Sequence, residues 1–418
     1  MNLTWANLRS SAALWLLLPA LFYVGLYIGD VTYTVPSHYG VETGEMAAFA
    51  MAVIAPAAAA ATAWEAGRYR QLGPIGLTSP RNPFVQLFRA ATPALILYLV
   101  LAVGALVAAH NATEAWPSGA GWLAVAHLLV LPLGWTVIGW CIGWALPRSL
   151  AAPLVAIGCW AWLAMPHAIA NPSLRHLGGF IDGGSTVTDI RDPAVYFIPW
   201  SVVAGLAVGT WLMTSPRRRG PKATIGAVTA AAALMAGYLV VTDWGYRAPT
   251  HPRDVSLTCT GDAPKVCVPP EYQSYAEQLH QDAQGPINRL KAAGIPAPRE
   301  LRLTSVSTPL KPGIWPLYWS LPALHEQAAQ DRFKADLAES AVAGVAADAG
   351  VRDCRQPGSL AAAWAALAIG VDANSIQQTL LPAHWTALQK VRHMPAADQA
   401  RWFTQKATSQ EHCVQVGT

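Results

Sequence analysis

The chain has 418 residues, of which 53% are hydrophobic and only 12% are charged. This composition is too apolar for a soluble protein of that length, and it predicts a membrane protein. The formal net charge is only +4, and no basic patch is interleaved with aromatic residues, which argues against nucleic acid as a partner.

Seven apolar stretches occupy residues 1–245, and each is close to the ~20 residues with which an α-helix crosses a bilayer. None of them contains Asp, Glu, Lys or Arg. The spans are predicted at Ser11–Ile28, Met46–Trp64, Ala90–Ala109, Trp122–Ala145, Ala151–Ile169, Ala194–Met213 and Ala223–Thr242. The predicted fold class is therefore an α-helical polytopic protein, embedded in the lipid bilayer of the plasma membrane.

Basic residues follow alternate spans, and this alternation predicts the orientation of the chain. Arg68 and Arg70 follow the second span, Arg148 follows the fourth, and residues 217–219 after the sixth are all Arg. The positive-inside rule assigns these connections and the N-terminus to the cytoplasm. Because the number of spans is odd, residues 1–245 are expected to form a transmembrane domain and residues 246–418 a soluble extracytoplasmic domain.

Four of the six cysteines lie in the extracytoplasmic domain, and an even number there favours two disulfides. These are Cys259, Cys267, Cys354 and Cys413. Three connectivities are possible, but a predicted hairpin of Val255–Thr260 and Lys265–Val268 favours Cys259–Cys267 and leaves Cys354–Cys413. A thiolate metal site is the competing interpretation, but the close cysteine spacing of zinc sites is absent, so no metal is expected.

Apart from that hairpin, the extracytoplasmic domain is predicted to be mainly helical. A helix opens at Pro270 and continues to Ala293, with a break or kink at Gly285-Pro286. Glu300–Ser307 alternates like a short strand. Further helices are predicted at Leu321–Asp348, Ser359–Ile369, Ser375–Arg392 and Ala396–Thr408.

The extracytoplasmic domain lacks the residue spacings of common hydrolases. His325-Glu326 is not followed by the second histidine of a zinc-protease helix, and the serine-nucleophile motifs are missing. We therefore expect no enzyme and no cofactor, with a membrane-tethered hydrolase as the least favoured alternative.

Ionisable side chains are scarce in the spans, which argues against coupling to an ion gradient. Glu45 and Arg191 are assigned to outer connections, and only His127 and His167 fall within spans. Both histidines lie near span ends, where the interface is expected to hydrate them. The chain also lacks the glycine-rich nucleotide loop, so ATP could drive it only through another subunit.

The largest cytoplasmic connection, Glu65–Arg89, is the predicted surface for such a subunit. Glu65 and Arg68 stand one helical turn apart, and Pro83–Arg89 is predicted as a short amphipathic helix that could enter a partner's groove. The proposed coupling residues are Glu65, Arg68, Arg70, Phe84, Phe88 and Arg89. The competing interpretation is that these residues only anchor the loop at lipid headgroups.

The chain resembles permease subunits of the ABC-2 transporter type in three features. These are the basic cytoplasmic connection Glu65–Arg89, an amphipathic N-terminal segment with Leu3, Trp5 and Leu8, and a long outer connection at Ala170–Pro193. The layout is also similar to uncharacterised actinobacterial permease-like proteins with a C-terminal extracytoplasmic domain. The resemblance covers the first six spans and implies a membrane subunit of an exporter powered by a separate cytoplasmic ABC ATPase. The seventh span and the cysteine-bearing domain depart from the pattern, so a membrane-anchored binding or sensing protein is the alternative.

Three pairs of glycines with small-xxx-small spacing are predicted to allow close helix packing. They are Gly25 and Gly29, Gly139 and Gly143, and Gly205 and Gly209. Packing within one bundle is the favoured interpretation. The resemblance additionally implies pairing with a second copy or with a related permease subunit.

Overall fold

The structure, a computed structural model, describes residues 9, 11–29, 36–71, 83–169, 171–181, 187–214, 219–245, 248–305, 308–317, 327–351 and 359–409. The chain forms two compact units. The bundle unit comprises Met1–Thr32, Tyr39–Ser185 and Arg191–Thr250. The C-terminal unit comprises Tyr33–His38, Thr186–Ile190 and His251–Thr418.

The bundle unit is built from helices, most of which are apolar. They are α1 (Ala12–Gly29), α2 (Gly40–Phe49), α3 (Met51–Arg70), α4 (Pro83–Thr113), α5 (Gly121–Ala145), α6 (Arg148–Ala164), α7 (Pro172–Gly178), α8 (Ala194–Thr214) and α9 (Arg219–Val241). Five of them, α1, α4, α5, α8 and α9, are long and apolar enough to cross a membrane. A sixth span results if α2 and α3, which meet at a 44° bend, are counted together, while α6 is a shorter apolar helix.

The outer faces of the bundle carry large apolar side chains. Trp15 and Leu18 on α1 and Val228 and Leu239 on α9 are each more than half exposed. Exposing such a large apolar surface to water is unfavourable, whereas contact with the hydrocarbon of a bilayer is not. The larger unit is therefore a helical membrane bundle, as the composition predicts.

Two helix pairs approach closely at glycines, as predicted. A Cβ on Gly139 or Gly143 of α5 would overlap the carbonyl oxygens of Ala59 and Ala63 on α3. Gly205 and Gly209 of α8 pack against Ala233 and the Gly226 carbonyl of α9 in the same way. By contrast, an added Cβ on Gly25 or Gly29 of α1 would meet no described atom within 4 Å. Gly25 and Gly29 are therefore not sites of close packing within the bundle among the described residues.

The C-terminal unit contains a four-stranded sheet in the order β3 (Thr258–Thr260), β4 (Lys265–Val268), β5 (Glu300–Arg302) and β6 (Ile314–Pro316). β3 and β4 are antiparallel and form the predicted hairpin, while β5 and β6 add in parallel. Upstream, β1 (Asp189–Arg191) and β2 (Thr250–Pro252) form a separate two-stranded sheet. β5 lies within the strand predicted at Glu300–Ser307, whereas β1, β2 and β6 were not predicted.

Helices follow the strands of the C-terminal unit. They are α10 (Ala276–Ala292), α11 (Gln327–Asp348), α12 (Leu360–Ile369), α13 (Ala373–Thr379), α14 (Pro382–Arg392) and α15 (Ala396–Thr408). A 3₁₀ turn at Pro270–Tyr275 precedes α10. One sequence expectation is wrong here, since Ser375–Arg392 is two helices, because the residue before Pro382 is extended. α10 continues through Pro286, so of the two predicted possibilities, a break or a kink, the break does not occur.

α10 tolerates its proline because its buried face continues on both sides of it. Leu279 and Ala283 lie before Pro286, and Ile287 and Leu290 lie after it, all nearly inaccessible to solvent. Burying a Leu or Ile side chain stabilises by roughly 1.5–3 kcal/mol, so Leu279, Ile287 and Leu290 together exceed a proline cost of about 3 kcal/mol. The core around Trp315 and Leu301 of the neighbouring strands completes the packing.

The disulfide Cys259–Cys267 is confirmed and joins directly paired residues of β3 and β4. The Glu300 carboxylate lies close to both sulfur atoms, a grouping that could suggest a metal site. Because the two sulfurs are bonded to each other, neither is a thiolate ligand. Cys354 and Cys413, the second predicted pair, lie outside the described residues.

Candidate functional site

One end of the bundle unit, here called the basic end, gathers the cationic residues of several helices. Ser11 at the start of α1 bonds Glu65 near the end of α3, and Leu87 at the start of α4 packs with Ala66. Arg148 at the start of α6 lies against Gly67. Among the described residues, the cations of the basic end include Arg9, Arg68, Arg70, Arg89, Arg148 and Lys222, the last near the start of α9, which packs on the end of α8 beside Phe84.

Glu65 and Arg68 are brought together at the basic end, as their spacing predicts. The Arg68 guanidinium donates to Glu65 Oε2 at 3.0 Å, and the Ser11 hydroxyl donates to Glu65 Oε1 at 2.7 Å. Glu65 is almost fully buried, so both donors offset the desolvation of its carboxylate. The hydrogen bond from Ser11 to Glu65 therefore joins the last turns of α3 to the start of α1.

Arg70 has a structural contact of its own. Its guanidinium donates to the carbonyl oxygen of Trp144, in the last turn of α5, at 3.2 Å. A cation at a helix C-terminus satisfies carbonyls that lack helical partners and interacts favourably with the helix dipole. Arg148 similarly lies 5.0 Å above the ring of Trp64. These two cations thus hold helix ends.

The predicted short helix Pro83–Arg89 is instead the first part of the continuous α4. Pro83 occupies the first helical position, where its missing N–H costs nothing. Leu87 is buried, whereas Phe84 and Phe88 are 54% and 56% exposed and Arg89 is also exposed. The Phe84 ring stacks on Trp211 with centroids 4.7 Å apart. Phe84, Phe88 and Arg89 therefore form an exposed aromatic edge on a rigid helix.

A second site, which the sequence analysis missed, lies toward the opposite end of the bundle. Arg191 Nε donates to Glu45 Oε1 at 3.0 Å, and the Tyr196 hydroxyl donates to the same oxygen at 3.3 Å. All three side chains are buried. Buried ionisable groups inside an apolar bundle are costly and mark functional candidates. We call these residues, with His127 and Trp200, the buried polar cluster.

His127 is fully buried, so the expectation of a hydrated position near a span end is wrong. The Trp200 indole N–H donates to His127 Nδ1 at 2.7 Å, and His127 Nε2 lies 2.6 Å from the carbonyl oxygen of Gly179. Since an indole can only donate, Nδ1 must be the acceptor and Nε2 must carry the proton. The two contacts therefore select one neutral tautomer of His127.

Glu45 was assigned to a connection because the helix around it begins earlier than hydropathy indicates. α2 starts at Gly40, six residues before the predicted second span. Gly40 and Gly44 pack against the backbone at the start of α5, where a Cβ on Gly44 would overlap Gly121. Their small-xxx-small spacing is the signal in the sequence that could have extended the helix over Glu45.

Part of the C-terminal unit is similar to a known family. Residues 266–413 match a family described as a domain of unknown function (DUF7224). No curated protein and no solved structure matches the chain. The matched family covers less than half of the chain, and its description assigns no activity.

Proposed function

We propose that the protein is the permease-like membrane subunit of an ATP-driven ABC-type exporter, powered by a separate cytoplasmic ATPase. The observation that carries this proposal is the exposed aromatic edge of Phe84, Phe88 and Arg89. Aromatic residues and arginine are enriched at binding hot spots, and a rigid helix presents them with little loss of entropy.

Seven spans are proposed, with α6 as the fifth. Its 17 residues extend about 25 Å, and the four-residue 3₁₀ turn Met165–Ala168 adds about 8 Å. This length is close to the ~30 Å hydrocarbon core of a bilayer. Arg148 begins the helix at the basic end, and Trp162 lies against Gly178 near its other end. These contacts support a complete crossing.

The positive-inside rule assigns the basic end to the cytoplasm and the C-terminal unit to the outer side. The end of α9 lies opposite the basic end, where Gly245 bonds His176 and the carbonyl of Thr242 bonds Ser173. The chain therefore leaves the bundle for residues 251–418 at the end with fewer basic residues. This path supports an N-in/C-out arrangement.

Arg68 and Arg70 are poor targets for testing the ATPase contact, because both already make contacts within the bundle, Arg68 with Glu65 and Arg70 with the Trp144 carbonyl oxygen. Phe88→Ala with Arg89→Glu changes the aromatic edge while leaving Leu87 in its packing. We expect a stoichiometric nucleotide-binding subunit to copurify with the tagged wild-type protein in mild detergent and to be lost from this double variant.

Lys222→Glu is the matched control, since it reverses a charge at the basic end on a different helix. It should retain the ATPase. Copurification with no nucleotide-binding subunit, or equal recovery with the double variant, would contradict the proposed function. We also propose that the protein pairs either with a second copy of itself or with a related permease subunit. Cross-linking between two differently tagged copies in the same membranes would identify a homodimer.

A membrane-anchored binding or sensing protein is the second candidate. It is favoured by the separate core of the C-terminal unit, which surrounds Trp315 and is closed at one edge by the Cys259–Cys267 disulfide. If the protein has this function, it should still bind its ligand or partner in membranes that contain no associated ATPase. Truncation after Thr250 should abolish that binding.

A further inference from the structure

His127 connects three elements of the bundle unit through its two ring nitrogens. It lies on α5 and is fully buried, and its Nδ1 atom lies 2.7 Å from the indole nitrogen of Trp200 on α8. Its Nε2 atom lies 2.6 Å from the carbonyl oxygen of Gly179, the residue that follows α7. The imidazole thus joins α5, α8 and the end of α7 through one accepted and one donated hydrogen bond.

The contact with Trp200 requires a neutral imidazole, whereas the contact with Gly179 does not. An indole can only donate, so the Trp200 bond exists only while Nδ1 of His127 keeps its lone pair free. A proton on Nδ1 makes that nitrogen a donor as well, and two N–H groups then face each other. Nε2 carries its proton in both states, so its bond to Gly179 is kept.

We propose that His127 and Trp200 form a proton-sensitive contact between α5 and α8. A proton from water binds the lone pair of His127 Nδ1, and the Trp200 indole, which has lost its acceptor, leaves the imidazole. No covalent bond of the protein breaks, and the bundle gains one positive charge. The packing of α8 on α5 thereby depends on pH.

Trp200 is placed to move in this way because it lies at the edge of the bundle. Its side chain is only partly buried, and its ring packs edge-on against the exposed Phe197 with centroids 4.9 Å apart. Less apolar contact is lost when such a residue leaves its place than when a core residue does. The hydrogen bond to the buried His127 is therefore a large part of what holds the indole inward.

Two charged groups of the buried polar cluster control how readily His127 gains a proton. The positive charge of Arg191 opposes a second one on the imidazole, whereas the carboxylate of Glu45, 3.0 Å from Arg191, favours it. Tyr196 connects the two groups, because its ring lies 5.3 Å from the imidazole and its hydroxyl donates to Glu45.

Other titratable groups on the elements around α5 act less directly. Tyr98 of α4 donates its hydroxyl to the carbonyl oxygen of Leu129, two residues after His127, at 2.8 Å. Glu42 of α2 and the pair Arg175 and His176 of α7 are partly exposed, so water reduces their influence. α6 carries the buried thiol of Cys159, which is uncharged at acidic pH. The charged side chains of α3 and α6 lie at the basic end and are Glu65, Arg68, Arg70 and Arg148.

The test follows both partners of the contact in the full-length protein in detergent. In protein labelled with 5-fluorotryptophan, the ¹⁹F resonance of Trp200 is assigned by its loss in Trp200→Phe. In protein labelled with ¹³C-histidine, the resonance of His127 is assigned by its loss in His127→Gln. Between about pH 7.5 and about pH 4, we expect the Trp200 resonance to shift in one transition, with the same midpoint as the protonation of His127.

His127→Gln separates protonation from other effects of acid. Its amide offers an acceptor and a donor but does not titrate, so the Trp200 resonance should no longer respond to pH. His176→Gln is the matched control, because it removes another histidine that contacts a backbone carbonyl, that of Gly245 at 2.8 Å. It should leave the transition of Trp200 unchanged.

Trp200→Phe tests the coupling from the other partner. Because it removes the donor that occupies Nδ1, the protonation midpoint of His127 should rise by about 1 pH unit, which is about a tenfold gain in proton affinity. A role of Trp200 in packing alone would leave this midpoint unchanged.

Three outcomes would overturn the proposal. His127 could remain neutral down to the pH at which the protein unfolds, Trp200 could fail to follow the protonation of His127, or the Trp200 transition could persist in His127→Gln. None of these outcomes depends on whether an ATPase binds.

Discussion

The two ends of the bundle each hold an ion pair, but the pairs are built differently. At the basic end, Glu65 and Arg68 are three residues apart, and the arginine side chain is 25% exposed. Toward the other end, Glu45 and Arg191 are 146 residues apart in the chain, and their side chains are 1% and 8% exposed. Water therefore moderates the first pair and is excluded from the second, so loss of a partner should have unequal consequences.

The largest expected effect comes from breaking the buried pair. Arg191→Ala removes the guanidinium that offsets the charge of the buried Glu45 carboxylate, and we expect a loss of about 3–5 kcal/mol in stability. The thermal unfolding of the purified full-length protein in detergent, followed by tryptophan fluorescence, measures this loss.

Replacing both partners tests whether the loss comes from the uncompensated charge. The double variant Glu45→Leu with Arg191→Met keeps apolar volume at the site, so it should recover most of the stability lost in Arg191→Ala. A double variant as unstable as the single one would mean that the cluster is held by something other than charge pairing.

A smaller effect is expected from the neighbouring imidazole. Trp200→Phe removes the N–H that donates to His127 Nδ1 and leaves a buried acceptor unpaired, which should cost about 1–3 kcal/mol. Trp122→Phe, at an exposed indole on α5, is the matched control and should be near neutral. If the two variants unfold at the same temperature, the His127 contact does not stabilise the bundle.

Local patterns in the sequence predicted part of this fold well. α15 has the predicted bounds, Ala396–Thr408, because its start after Pro395 and its amphipathic spacing are both encoded within a dozen residues. The Cys259–Cys267 disulfide also follows from a short hairpin. β6 was missed because a three-residue strand has too little periodicity to recognise, and its pairing with β5 depends on distant residues.

The same distinction applies to the candidate sites. The Glu65–Arg68 contact is set by helical spacing, which a sequence reveals directly. Arg191 reaches Glu45 only after α2, α5 and α8 have packed, so no local pattern indicates the contact. For Glu45, charge alone gives the wrong location. The sequence analysis assigns Glu45 to an outer connection, whereas it lies on α2 and is buried inside the bundle.

The smallest effect is expected at the basic end. In Arg68→Ala, Glu65 keeps the Ser11 hydroxyl as a donor, and solvent already reaches the position of the lost guanidinium. Pairs of this kind, at i,i+3 on a helix and open to water, contribute at most about 1 kcal/mol. The unfolding temperature of Arg68→Ala should therefore lie much closer to the wild type than that of Arg191→Ala, measured side by side in the same detergent. Equal losses in the two variants would mean that solvent access does not set the strength of these pairs, and that Glu65 is as dependent on its arginine as Glu45.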